Sequence, residues 1–385
     1  MNLLFVCRKM LRASIPWLLV LFFLTNIWRK MNHSALPFII ILVFLGVLGI
    51  LDSIVNEKLN KRIVFLFYTV YLSTGFLNWC LIGNVSLGDL AKDLLLCGVL
   101  FELFVSPIHY FHGFVSFYVS VLLFIDAFLS GEVAHELLSG ASGNYISVFL
   151  ILSESIYYMG LCNSQRTILV WDLLPVVLCL MLSIWAVGRS GIICSTLFLF
   201  LMVFSFMKQR WNNKHLSILL CIVILLSIVY LFGDGLGILE NNDYLRKLEE
   251  QGLETSRYSM WQAYWNQMVS SPSFFLFGVP FEQVPIIQMF DNNTHNSFIQ
   301  LHALNGMLAF ILLFYFVCYA LVYYFKHGRS VLFVVLLVYV IRGMTDKFIF
   351  GEFGMPVLLY FTMFPFVYLE DSTIQIQKSY EYEYK

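Results

Sequence analysis

Charged side chains are scarce in this sequence. Only 12% of its 385 residues are Asp, Glu, Lys or Arg, against roughly a quarter in soluble domains, too few to clothe a surface that faces water. A net charge of −1 excludes the basic signature of a nucleic-acid binder. Cysteines in metal or disulfide spacing are missing. Cys7 precedes the first apolar run, and Cys80, Cys97, Cys162, Cys179, Cys194, Cys221 and Cys318 lie in or beside such runs with no CxxC. They read as small apolar packing residues. There is no P-loop, no GxGxxG before a strand, no HExxH and no GxSxG, so no pattern for a bound nucleotide or zinc is present. His109 with His112, and His135 with Glu136, have no third ligand nearby in sequence, which speaks against a metal site.

What is abundant is apolar. Hydrophobic residues make up 60% of the chain and mean hydropathy is +0.80. Backbone groups in lipid must be paired within the segment, so continuous apolar runs predict helices; a barrel would alternate. About 20 apolar residues cross the hydrocarbon. Twelve spans are expected, at 13–28, 36–54, 63–83, 87–106, 110–130, 145–163, 168–187, 190–207, 215–233, 300–325, 330–342 and 353–369. The fold class is thus an all-α polytopic membrane protein. The first run ends in Trp28-Arg29-Lys30 without a small-residue cleavage site and reads as a retained helix.

With the N-terminus in the cytoplasm, 14 Lys and Arg fall on the inner side and 9 on the outer, or 6 without the long loop. The bias puts both termini in the cytoplasm, with Arg29 and Lys30 against it. The organisation is then helices one to nine over 1–233, a large outer loop over 234–296, helices ten to twelve over 297–370 and a tail over 371–385. In the loop, Asp243 is placed to cap a helix over 244–251 closed by Gly252. A second helix starts near Thr255 or Ser256 and stops before Pro272. On it Arg257, Trp261, Tyr264, Trp265 and Met268 recur at helical spacing, an aromatic face suited to a membrane surface or to the bundle.

Ionisable groups near membrane depth are candidates for function, and four outward positions stand out. Gly188-Arg189-Ser190-Gly191 sets one Arg in a turn whose glycines allow close approach. Its fork suits a phosphate; the plain alternative is an Arg that snorkels to headgroups. Arg257 opposes the dipole at a helix start, unless it is simply solvated. Thr294-His295-Asn296-Ser297 offers a proton-transfer group with orienting neighbours, or else a helix cap. Arg342 with Asp346 has the spacing of a structural ion pair.

The outer pattern is Gly188-Arg189-Ser190-Gly191, a long loop, Arg257 followed by Trp261, Gly278, then His295-Asn296-Ser297-Phe298 entering a helix with Gly306. It resembles the O-antigen polymerase (Wzy-type) and O-antigen ligase superfamily over 186–310. Gly143-Asn144-Tyr145 resembles another family position. The resemblance implies a glycosyltransferase with its site at the outer leaflet of the bacterial cytoplasmic membrane. The donor it implies is a glycan on undecaprenyl pyrophosphate, and the acceptor a sugar hydroxyl on a second lipid-linked unit. Growing negative charge on the pyrophosphate is then met by Arg189 and Arg257, with Arg342 as a third group. His295 takes or orients the acceptor hydroxyl, Asn296 assists, and Trp261 and Trp265 stack on sugar rings. A pyrophosphate leaves readily, so no metal or other cofactor is required. The product is O-antigen of lipopolysaccharide, capsule or another envelope polysaccharide, and a chain-length regulator and a flippase are the expected partners. A ligase with a lipid A core acceptor is the nearest alternative. A lipid-linked glycan flippase or transporter is the next, although transporters place polar groups at the midplane in paired repeats. A non-catalytic structural or sensory membrane protein is the last. The polymerase is preferred because those of this superfamily are divergent and rich in Phe and Tyr, of which this chain has 38 and 21.

Overall fold

The computed structural model describes residues 3–31, 33–55, 62–134, 136–138, 144–186, 188–210 and 256–367. Among them every regular element is helical. The helices are α1 (Leu3–Lys30), α2 (Leu36–Val55), α3 (Arg62–Leu81), α4 (Leu87–Val105), α5 (Tyr110–Leu129), α6 (Asn144–Asn163), α7 (Leu174–Trp185), α8 (Arg189–Arg210), α9 (Ser256–Ser270), α10 (Pro272–Phe277), α11 (Ser297–Lys326) and α12 (Ser330–Gly343). A last helix, α13, is Met355–Val367. Eleven of the twelve expected spans fall on these helices. The span at 215–233, the helix at 244–251 and the tail at 371–385 lie outside the described residues, as does His135.

Seven helices are long and apolar enough to cross a membrane: α1, α2, α3, α5, α6, α8 and α11. Val170–Trp185, Ser330–Gly343 and Met355–Val367 are apolar but shorter. The chain is a polytopic membrane protein. The fourth expected span forms as α4, yet it carries Asp89, Lys92, Asp93 and Glu102 and is not among the seven. Ser86 starts it with a reciprocal cap: Ser86 Oγ accepts from the Asp89 N–H, and the Asp89 carboxylate accepts from the Ser86 N–H, both at 3.1 Å. Such pairs satisfy two of the donors that a helix start leaves open.

The bundle is organised around α6, with 89% of its membrane window buried against α5, α7, α8 and α12. A second layer, α2 on α4 and α3 on α11, flanks it.

The described chain resumes at Ser256 with α9 and α10. Met260, Tyr264 and Met268, one turn apart, form the buried stripe of α9 and pack on Val279, Phe281 and Ile287. Of the expected aromatic face, Tyr264 and Met268 belong to this stripe, Trp261 lies at its margin, and Trp265 is 62% exposed. The loop is fastened where α11 breaks. Gly306 has φ +71° inside that helix, a region that favours glycine, and a Cβ there would overlap the Leu276 carbonyl. Below the break, Ala303 O accepts from Asn78 Nδ2 at 2.8 Å and from Asn84 Nδ2 at 2.9 Å. The same two amides donate to Phe277 O and Val279 O, each at 2.7 Å. Irregular backbone at membrane depth persists only when its polar groups are satisfied by protein, and two asparagines do that here.

Candidate active site

The turn after α12 brings the expected residues together. Asp346 is buried, its side chain 1% exposed. Its Oδ2 accepts from Arg342 Nη1 at 2.7 Å. Its Oδ1 faces Arg257 Nη2 at 3.6 Å and His295 Nδ1 at 3.5 Å. Three cations or potential cations from three separate stretches thus converge on one carboxylate. Burial pushes the Asp346 carboxyl up, but Arg342, His295 and Arg257 outweigh it and hold it below the usual range. An opposite charge within a few ångströms favours the ionised form.

The groups around Asp346 differ in access. Arg342 is wholly enclosed, and its two Nη groups are engaged: Nη1 also reaches Thr345 Oγ1 at 2.7 Å, and Nη2 reaches Asn144 O at 2.8 Å and Ser147 Oγ at 3.2 Å, while Nε has no partner among the described residues. It presents no face to a ligand in this arrangement and takes the ion-pair role that its spacing with Asp346 offered. Arg257 and His295 sit at the rim, with side chains 20% and 19% exposed. Arg257 donates from Nη1 to Thr345 O at 2.7 Å, which anchors one edge of the fork and leaves the other toward Asp346.

His295 is held by its backbone. Its φ is +47°, uncommon for a residue with a side chain, and its N–H donates to Asn293 Oδ1 at 2.9 Å. The ring packs edge-on against Phe290 at 5.5 Å. Asn296 caps α11, its Oδ1 accepting from the N–H groups of Phe298 and Ile299 at 2.9 and 3.1 Å. Ser297 Oγ donates to Asp346 O at 2.7 Å and accepts from the Phe348 N–H at 3.1 Å, so the start of α11 and the turn after α12 are one unit. Trp261 donates from its indole to Thr294 O at 2.9 Å, fixing α9 to the same stretch. Trp261 and Trp265 both line an apolar groove between α9 and α11 with Phe298 and Phe310.

Arg189 begins α8 at this end of the bundle. Gly188 lies so close to α6 that a Cβ would come within 2.7 Å of Asn144 Oδ1, and one on Gly191 would overlap Ser147 Oγ. Asn144 and Ser147 are also the acceptors of Arg342, so the glycine turn and the buried ion pair share one support.

Residues 174–314 match the family model described as O-antigen ligase, Wzy_C. Over these residues the chain is similar to the O-antigen ligases. This accords with the O-antigen polymerase and ligase superfamily, whose enzymes are glycosyltransferase-like. No curated protein and no solved structure matches the chain. The Wzy_C segment contains Arg189, Arg257, Trp261, Trp265, His295 and Asn296, whereas Arg342 and Asp346 lie beyond its end. The domain thus closes on residues outside itself. Sequence reasoning found Arg342 and Asp346 as a pair but missed Asp346 as the common partner of Arg257 and His295. It also missed Ser147, one of several hydroxyl residues on an otherwise apolar helix. Asn144 carried a signal only through its resemblance to a family position.

Proposed function

We propose that the chain is a polysaccharide polymerase of the bacterial cytoplasmic membrane, with both termini inside and this site at the outer leaflet. It joins oligosaccharide repeat units carried on undecaprenyl pyrophosphate, for O-antigen or capsule. The convergence of Arg257, His295 and Arg342 on Asp346 is the observation that supports this reading best. The acceptor hydroxyl oxygen bonds to the donor's anomeric carbon. The bond from that carbon to the pyrophosphate oxygen breaks, its electron pair leaves with the pyrophosphate, and the hydroxyl proton passes to His295 or is oriented by it for release. Arg257 and Arg189 meet the charge that grows on the leaving group. Fixed cations in a partly dry site act on such charge at about 10² to 10³ in rate. Asp346 and Arg342 position Arg257 and His295, and Asn296 sets the start of α11. Trp265 offers an exposed ring for sugar stacking, while Trp261 is placed to stack at its accessible edge. A flippase supplies the units and a chain-length regulator acts with the enzyme.

The description of the matching family favours a second reading, a ligase that moves the finished glycan to a lipid A core. A gel of surface polysaccharide from a deletion strain separates the two. Single repeat units on the core, restored to a ladder by wild type but not by Arg257→Ala, support the polymerase. Unattached full-length polymer in the deletion sinks it in favour of the ligase. Loss of every repeat from the outer leaflet points instead to a flippase.

A further inference from the structure

A second basic site lies at the opposite end of the bundle, where the proposed reaction has no use for it. The C-terminal end of α6, the N-terminal end of α12 and the last turns of α13 surround a hollow of roughly 560 Å³. Arg166, Arg329, Gln165 and Gln209 line its polar side, and Leu332 and Phe364 its apolar side.

Neither arginine has a carboxylate partner among the described residues. Arg166 lies over the Tyr110 ring at 3.8 Å and Arg329 over Phe364 at 5.5 Å. Asp172, the acid on this side of α7, is engaged by the hydroxyls of Tyr157 and Tyr110 and by the Leu169 N–H. The hollow also receives an open helix start. Arg329 occupies the N-cap of α12 without a side-chain cap, and the N–H groups of Val331 and Leu332 have no acceptor among the described residues. Both residues are buried, at 6% and 4% exposure. The first N–H groups of a helix have no partner within it, so these two are open to an acceptor from outside. Two exposed arginines and an uncapped helix start lining one volume supply the chemistry of a phosphate site. The apolar wall suits the adjoining acyl chains, as in basic pockets between membrane helices.

We propose that this hollow holds a phosphate group between Arg166 and Arg329, supplied by the headgroup of an anionic phospholipid. The purified full-length protein is exchanged into detergent with phosphatidylglycerol, phosphatidylcholine or inorganic phosphate, and retained ligand is read by native mass spectrometry. Wild type retains phosphatidylglycerol in preference to phosphatidylcholine. Arg166→Gln with Arg329→Gln weakens retention about 100-fold, roughly tenfold per charge-assisted contact. Lys208→Gln with Lys326→Gln removes equal charge from exposed positions of the same end, outside the hollow, and leaves retention unchanged. Should the double arginine variant misfold, Gln165→Glu at the exposed rim gives the same loss by repulsion. Retention of inorganic phosphate alone, lost in the arginine variant, keeps the site and assigns it a soluble ligand. Equal retention by wild type and a folded arginine or Gln165→Glu variant overturns the proposal, as does equal loss in the lysine control.

Discussion

The guanidinium of Arg257 donates to the Thr345 carbonyl at 2.7 Å across 88 positions of sequence. That bond ties the loop helix to the turn that carries Asp346, so it joins the Wzy_C segment to residues beyond it. Four predictions come from this junction and its supports.

Arg257→Ala should abolish polymer while the protein remains in the membrane. Loss of one fixed cation at a charge-developing centre costs about 10² to 10³ in rate. Arg257→Lys should recover little, because a single ammonium cannot hold Thr345 O and face a phosphate at once. A normal ladder from the alanine variant would remove Arg257 from the reaction.

Asp346→Ala should destabilise the protein by about 3–5 kcal/mol, since it strands the enclosed Arg342 charge. Thermal unfolding in detergent reads this. The contribution depends on pH with a fixed sign. The folded carboxyl lies below its ordinary value, so its stabilisation is complete above about pH 4 and fades as pH falls through the lower folded value. The gap between wild type and Asp346→Asn should therefore narrow only in acid; a gap that widens there would contradict the assignment.

Trp261 and Trp265 should separate. Trp261→Phe loses the indole bond to Thr294 O and should lower kcat by loosening the His295 stretch. Trp265→Ala removes an exposed ring and should raise KM with little change in stability. Initial rates with a lipid-linked oligosaccharide would distinguish the two patterns.

Gly306→Ala should be among the most damaging small substitutions, for it combines φ +71° with overlap on Leu276. Asn84→Ala should release the same loop more mildly, by about 1–3 kcal/mol for the polar groups it leaves open. Limited proteolysis after Ser271 should be faster in both variants.

The spans were readable because apolar length alone sets them, and eleven of twelve expected intervals coincide with helices. The four charged positions drew attention for a related reason: charge near lipid is rare enough to stand out. What sequence hid was which partner each charge meets. Asp346 sits four places from Arg342, and that proximity masked its approach to Arg257 and His295, which only the folded turn reveals. The stripe on α9 was read in part, through Tyr264 and Met268, while Met260 was passed over because aromatic residues dominated the pattern, although methionine packs as readily in a core. The break at Gly306 follows Asn305, and although an Asn-Gly pair is a turn signal, the apolar run after it reads as one uninterrupted span.

The near-complete enclosure of α6 bears on how the protein is made. A helix leaving the insertion machinery meets lipid first and its neighbours later. This one carries Glu154, which is fully enclosed in the finished bundle. A lone acidic residue at mid-membrane lowers insertion by about 2.5–3.5 kcal/mol. Its shelter includes α12, which is synthesised some 170 residues afterwards. Nascent α6 must therefore wait in a partly protected state, and truncations that stop short of α12 should leave it poorly integrated even though every apolar residue of the helix itself is intact.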